Sequence, residues 1–328
     1  MKKHSNLAFF IPHLGCPYKC VFCDQVNISG ERRYPSIETV RQTCEEYLPE
    51  KSDTTEIAFF GGSFTAIPRN MMIGYLQTAF PFVQEGRANG IRISTRPDYI
   101  DRDILSILKK YGVTSIELGA QSMDDKVLEL NGRGHSSQQV KDASRLITEC
   151  GFSLGLQMML GMYGVEDPFE DSMKTADAFI SLHPDTVRIY PTLVVDNTEL
   201  ARLWEKGDYV PLDLDSAVMI SAKLMRRFRE NKIKVIRVGL HSEMSLQQQT
   251  LAGPFHPAFG ELCESLLCRN QIEEALDGVK EATVYCSPRL LSKVKGQKKS
   301  NLEYFNQKGI TLQVIPSDEV NSLTVVHP

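Results

Sequence analysis

Six short apolar runs, each but the last followed by a stretch of helical periodicity, restrict this chain more than any other feature. They are LAFFI (7–11), EIAFFGG (56–62), IRIST (91–95), TSIELG (114–119), FSLGLQMMLG (152–161) and DTVRIYPTLV (185–194), runs of the length that buried strands take. Between the first two, SIETVRQTCEEYL (36–48) sets Ile37, Val40, Cys44 and Leu48 on one helix face behind Ser36, a ready N-cap. Further helices are predicted near 69–80 and over 102–112, 124–132, 136–151 and 168–182, the third of these six closed by a C′ glycine, Gly112. Strand, helix, strand at intervals of roughly 20 to 40 residues implies parallel neighbours joined by helical crossovers. Six such units within 200 residues predict an α/β fold, a partial (β/α)6 TIM-like barrel, because a full eightfold barrel takes ~250 residues.

Past residue 240 the texture changes. HSEMSLQQQTLAGPFHPAF is polar and turn-rich and leads into a helix near 259–276. EATVYC (281–286) and ITLQVI (310–315), with a helix start at Ser287 and Pro288 between them, predict a small C-terminal α/β appendage. The expected division is therefore a barrel over 1–240 and an appendage over 241–328, the latter a place for substrate to bind.

A formal charge of -4 gives no global sign of a nucleic-acid binder, so any RNA contact must come from a local patch. One patch exists: between 279 and 308, seven basic residues (Lys280, Arg289, Lys293, Lys295, Lys298, Lys299, Lys308) face two acidic ones, with Tyr304 and Phe305 nearby as stacking candidates. A solvated lysine-rich helix is the plainer reading of that segment. At the N-terminus, Lys2, Lys3 and a small residue before Cys16 echo a lipoprotein signal. The apolar core there is only five residues long before Pro12 and His13, short of the ~7–15 a signal needs. No run of ~18 apolar residues occurs elsewhere, so no membrane span is expected. A cytoplasmic location follows as the expectation, with thiols reduced and clustered cysteines read as metal ligands.

GCPYKCVFCDQ (15–25) holds such a cluster: Cys16, Cys20 and Cys23, with Phe22 before the last. Three chemistries compete for it. Structural zinc wants four ligands, typically from paired knuckles, and no second knuckle is visible, because Cys44 and Cys150 are isolated and Cys263 and Cys268 diverge by about 140° on a helix. A zinc site built from His241, His256, Cys263 and Cys268 is correspondingly poor; the two cysteines read better as small buried apolar groups. A redox C-x-x-C leaves Cys16 without a role. An iron–sulfur cluster normally takes four cysteines, so three thiolates would leave one iron open to an outside ligand.

The spacing Cys16-x3-Cys20-x2-Cys23, with its flanking Phe22 on the loop after the first predicted strand, resembles the radical S-adenosylmethionine (radical SAM) enzymes. That resemblance implies a [4Fe-4S] cluster on the three cysteines and S-adenosylmethionine chelating the fourth iron through its amino and carboxylate groups. It also implies an external electron donor and reductive cleavage to a 5′-deoxyadenosyl radical. By the same likeness Gly61, Gly62 and Ser63 form the glycine-rich turn that receives the cofactor's ammonium, where a small residue lets backbone approach the ligand. Glu117 and Gln121, at the end of the fourth strand on the face where barrel active sites collect, become cofactor or substrate contacts, although a buried ion pair would also account for a carboxylate in that apolar strand.

GGSFTAIP (61–68), STRPD (94–98), ELGAQS (117–122), NGRGH (131–135), MMLGM (158–162) and RIYPTLV (188–194) occur in the order expected for the catalytic subunit of Elongator, over roughly residues 5 to 240. This implies an Elongator-like tRNA modification, a transferase acting on a wobble uridine, with Arg96, Arg133, His135 and Tyr190 lining the site or its rim. The cysteine spacing differs from Elongator's. Only 88 residues follow position 240 and no R-x-x-G-x-G/A loop appears among them, so a separate acyl-donor protein, or a changed reaction, is the expectation. Two other readings remain: a radical SAM enzyme acting on a small molecule such as a tetrapyrrole, in the manner of oxygen-independent coproporphyrinogen oxidase, and a non-catalytic iron–sulfur subunit that binds RNA or protein.

Overall fold

Odd and even residues of the strands face different surroundings, and that alternation organises the molecule. The computed structural model describes residues 5–11, 14–24, 33–240, 244–276, 278–320 and 322–326. Strands β1 (Ser5–Phe10), β2 (Thr55–Phe60), β3 (Gly90–Thr95), β4 (Val113–Gln121), β5 (Ser153–Leu160) and β6 (Thr186–Pro191) fall on the six apolar runs. Together with β8 (Lys234–Val238) they form one seven-stranded sheet in the order β1-β2-β3-β4-β5-β6-β8. Every neighbouring pair in it is parallel. The curled sheet is a half-barrel, the partial barrel the alternation predicts, with a seventh strand beyond the six. KVIRV was not legible as a strand because it is short, charged and only half-buried along its length.

The crossovers are α1 (Ile37–Tyr47), α2 (Arg69–Gln84), α3 (Arg102–Lys110), α4 (Asp125–Leu130), α5 (Ser137–Glu149), α6 (Pro168–Ser181), α7 (Glu199–Lys206) and α8 (Leu214–Glu230). Ser36 caps α1 by accepting from the Thr39 amide. Val40, Cys44 and Leu48 are buried as its periodicity predicts, whereas Ile37 is largely exposed where it meets Gly74 of α2. The main core lies between sheet and helices and takes one set of alternate residues: Ile57 and Phe59, Ile91 and Ile93, Ile116 and Leu118, Leu154 and Leu156, Val187 and Ile189. The other set, including Phe60, Glu117, Gln157, Arg188 and Tyr190, points into the half-barrel and lines its cavity. A one-residue slip would exchange the two sets, so register is strongly fixed.

A hairpin-like pair, β7 (Val194–Val195) with β9 (Thr250–Ala252), carries α9 (Met244–Gln249) beside it. Beyond α10 (Phe259–Ala275), β10 (Glu281–Cys286) pairs parallel with β11 (Thr311–Pro316). Two helices lie between them, α11 (Leu291–Lys295) and α12 (Ser300–Gln307). This is the β-α-β unit read from sequence, extended by the antiparallel strand β12 (Leu323–Val326). It has its own core, built on Val284, Cys286, Val294, Phe305 and the C-terminal half of α10. Among the described residues no helix is long and apolar enough to cross a membrane.

Candidate active site

The loop after β1 and the turn after β2 meet backbone to backbone, and glycines make that approach possible. Gly62 has φ +45°, and a Cβ there would stand 2.3 Å from the Leu14 carbonyl oxygen; Gly15 answers from the other side with φ +77° and only 2.5 Å to the Ser63 carbonyl. Both positions require a residue without a side chain. The interlock brings Gly61 and Gly62 to the wall of a cavity of about 230 Å3 that also holds Cys16, Cys20, Phe22 and Cys23. Gln121, Glu117, Arg96, Arg133 and Tyr190 line the same cavity.

Two of the expected residues do not. Ser63 is buried beneath the sheet end, where its hydroxyl bonds Thr95 Oγ1 at 2.9 Å and accepts from the Arg96 amide at 3.3 Å. It supports the turn rather than facing the cavity. His135 is buried with Nε2 3.2 Å from the Ala120 carbonyl. Burial, aided by Arg133, pushes its pKa down to about 4, so it is neutral at physiological pH.

All eight cysteines are thiols. Burial raises the Cys23 thiol far above its ordinary value, and Cys20 and Cys16 raise it further. Three thiolates this close need positive charge among them. Arg133 supplies some, donating from Nη1 to Cys20 Sγ at 3.1 Å. Among the described residues no His, Cys, Asp and Glu gather tightly enough to hold a single metal ion. A cluster that takes one thiolate per iron asks for wider spacing, and three thiols around one cavity with a buried guanidinium beside them fit such a cluster. In the C-terminal segment, Cys263 packs in the barrel core and Cys268 in the appendage core, so they do not converge. His256 Nδ1 accepts from the Ala258 amide, and His241 lies outside the described residues.

Glu117 makes the buried ion pair that the sequence allowed, and it does so at the cavity. It lines the cavity, and its two oxygens are held by guanidinium groups: Arg92 Nη1 at 3.0 Å, Arg188 Nε at 2.5 Å and Arg188 Nη2 at 2.9 Å. Arg92 also reaches Glu56 Oε2 at 2.7 Å, so the inner face carries a buried row Glu56–Arg92–Glu117–Arg188. Burial opposes the charge on Arg188, but Tyr190 and Glu117 outweigh it and its pKa is raised. Sequence reasoning missed Arg92, Arg188 and Gln157. The signal was a charged or amide residue at inner positions of three predicted strands, with Gln157 directly opposite Arg188. Met159, Leu193, Val195 and Leu240 add apolar surface to a lining that also includes Lys19, Ser94 and Thr95.

On the appendage, the described side chains narrow the basic patch. Lys308 pairs with Glu273, and Lys293 lies 3.9 Å from Glu264. Phe305 is fully buried, and Tyr304 is covered by Arg269 and Lys308 and bonds Glu273. The expected stacking pair is thus taken up in the fold, because adjacent helical residues point about 100° apart and one of them must enter the core. Lys280, Arg289, Lys298 and Lys299 remain exposed.

A family model described as "Radical SAM superfamily" matches residues 10–176, and one described as "Radical_SAM C-terminal domain" matches 184–269. The chain is 30% identical to an uncharacterized protein of Methanocaldococcus jannaschii over 65% of this chain and 69% of that one. It is 34% identical to the tRNA uridine(34) acetyltransferase of the same organism over 42% of this chain and 25% of that one. Elongator complex protein 3 of Saccharomyces cerevisiae is 28% identical over 59% of this chain and 38% of its own length. The chain therefore spans well under two thirds of these last two relatives. The solved structure of Methanocaldococcus infernus Elp3 with residues 1–46 deleted superposes with a TM-score of 0.67 at 20% identity, covering 83% of this chain and 64% of that one.

Proposed function

The chain belongs to the radical SAM superfamily, and from that premise we propose that its reaction modifies tRNA, with a wobble-type uridine as the target. Enzymes of this superfamily work with a [4Fe-4S] cluster and S-adenosylmethionine, which together supply reductive cleavage of a sulfonium to give a hydrogen-abstracting radical. In this chain Cys16, Cys20 and Cys23 would hold the cluster. Phe22, Gly61, Gly62 and Gln121 would bound the cofactor space, with Ser63 bracing the turn from below. Glu117 would fix Arg188 at the cavity wall, and Met159, Leu193, Val195 and Leu240 would exclude water from the reacting atoms.

The observation that carries the reading is the meeting of three thiols and the glycine pair in one cavity at the C-terminal ends of the strands. The tRNA target is supported by the identity with a tRNA uridine(34) acetyltransferase and by the exposed Lys280, Arg289, Lys298 and Lys299 on the appendage. An external donor supplies the electron, and a separate acyl-donor protein is the expected source of any transferred acyl group.

Oxygen-free reconstitution with a panel of tRNAs and small metabolites, read by mass spectrometry after dithionite reduction, tests this. The expected result is 5′-deoxyadenosine together with one altered nucleoside in tRNA. A Cys20→Ala chain should carry no four-iron cluster, whereas Cys150→Ala should carry a full one. An unchanged nucleoside profile in a deletion strain ends the tRNA reading. The apolar part of the lining, Met159, Leu193, Val195 and Leu240, favours a second reading, a small-molecule substrate such as a tetrapyrrole; conversion of such a molecule with tRNA unchanged would establish it.

A further inference from the structure

The loop between α4 and α5 grips the cysteine loop at several points. The Asn131 carbonyl accepts from the Val21 amide at 3.2 Å, and the Asn131 side chain is itself held by the Tyr163 carbonyl at 2.8 Å. Gly134 has no Cβ because the Tyr18 ring stands 2.4 Å from where one would be. Arg96 donates to the Arg133 carbonyl at 2.5 Å while its guanidinium lies over Tyr18. The backbone of Arg133 is therefore fixed against the loop that carries the thiols.

Its side chain is 7% exposed, and its donors are unevenly used. Nη1 meets Cys20 Sγ at 3.1 Å and Nη2 meets the Gly119 carbonyl at 2.6 Å. Nε is buried with no acceptor among the described residues. Arg96, which bonds the Arg133 carbonyl, has Asp98; Arg92 and Arg188 have Glu117. Among the described residues no carboxylate pairs with Arg133. A buried guanidinium with no anion and an idle N–H is costly, unless something anionic and rich in acceptors occupies the cavity beside it.

We propose that Arg133 is a positioning residue that sets the reduction potential of the cluster held by Cys16, Cys20 and Cys23. This rests on the cluster reading above. With three thiolates, an oxidised [4Fe-4S]2+ core carries a net charge of about -1, and one electron from an external donor takes it to about -2. Arginine stays protonated throughout, so no proton moves with the electron. A fixed positive charge and an N–H···S bond favour the more negative state, and so raise the potential. The same contact lets an outside reductant load the cluster more readily.

The test is an electron-paramagnetic-resonance redox titration of the reconstituted full chain, with dithionite as reductant, for wild type, Arg133→Gln and Arg133→Lys. At the wild-type midpoint, Arg133→Gln should hold about tenfold less reduced over oxidised cluster, a shift of about 59 mV to more negative potential for one electron. Arg133→Lys keeps the charge with a poorer fork and should fall between the two. A residue that merely braces the loop would lower the iron content and leave the potential of the remaining clusters unmoved; that result overturns the proposal. If Arg133→Gln binds no cluster, the lysine variant decides: a negative shift supports the role, and a wild-type potential refutes it. Failure of the wild-type chain itself to assemble four irons would instead sink the cluster reading on which the proposal stands.

Discussion

Replacing Glu117 by Gln removes one negative charge from a buried row and leaves the volume unchanged. The cost falls unequally on its partners. Arg92 keeps Glu56 Oε2 at 2.7 Å, and Glu56 is itself steadied by the Ser115 hydroxyl at 2.9 Å. Arg188 loses its one paired carboxylate among the described residues and keeps the new amide oxygen at 117, the Tyr190 hydroxyl at 3.4 Å and the face of Phe60, 5.1 Å from the ring centre. Breaking a fully buried pair costs ~3–5 kcal/mol. Retention of one carboxylate by Arg92, and the position of Arg188 at a cavity wall, bring the expected loss to about 2–4 kcal/mol. Urea unfolding followed by circular dichroism, with the fluorescence of the lone tryptophan, Trp204, as a second probe, measures it. The double variant Glu117→Gln, Arg188→Gln restores neutrality and should be less destabilised than the sum of the single variants by ~1–3 kcal/mol. A Glu117→Gln chain within ~0.5 kcal/mol of wild type, or strict additivity in the cycle, would refute the view that this ion pair organises the inner face.

Gly62→Ala places a Cβ 2.3 Å from the Leu14 oxygen at a left-handed φ, and should cost at least ~2 kcal/mol along with most of the iron content. Gly86→Ala, left-handed but with nothing within 4 Å, should cost only about 1 kcal/mol and keep its iron. Two groups, the buried His135 and the half-buried Asp171, should bend the pH dependence of stability in opposite senses. His135 binds its proton less well folded than unfolded, so stability falls as pH drops from 6.5 towards about 4, and His135→Gln should flatten that limb of the denaturation curve. Asp171 is pushed up to about 6 by burial and by Asp124, so its charged form is penalised. Asp171→Asn should therefore be the more stable chain at pH 7, by on the order of 1–3 kcal/mol, with the gain gone below pH 4. Lys298→Glu with Lys299→Glu should weaken tRNA binding and make its logarithmic salt slope shallower by about 1.5. An unchanged slope would remove these lysines from the interface.

Much of the half-barrel was legible because its strands bury an apolar face against helices and end in glycines, and because side chains such as Ser36 mark where helices begin. The stretch from 195 to 240 was not. There α7 and α8 follow one another with no strand between, and β8 closes the sheet as a half-exposed charged strand. That the three cysteines form one group could be read from their spacing, since a local loop brings them together, while their role came only from the family resemblance. Arg92, Arg133 and Arg188 could not be given partners, because each reaches a residue distant in the chain; sheet register decides which for Arg92 and Arg188, and the packing of one loop on another decides it for Arg133. Ser63 shows the reverse error: adjacent to the glycine pair in sequence, it turns away from the cavity because the turn reverses direction between Gly62 and Ser63, whose φ angles are +45° and −141°.

The register also explains why the charged row climbs towards the cavity instead of circling the barrel at one level. Glu56 lies opposite Gly90, and Arg92 stands two residues further on; Arg92 lies opposite Ser115, and Glu117 stands two further on. Each step moves the next charge one inward position nearer the strand ends, which is the stagger that a tilted barrel imposes. On β5 the position opposite Glu117 is Gly155, where a Cβ would stand 2.8 Å from Glu117 Cγ. The blank position lets Glu117 lean across β5 and meet Arg188 on β6, two residues beyond Thr186, which lies opposite Gly155. A row anchored at Glu56 near the barrel floor thus delivers Arg188 and Tyr190 to the cavity wall, held rigidly by charges that are themselves buried. The thiol loop and the charged row are separate constructions, one local and one spread over four strands, and they meet only in that cavity.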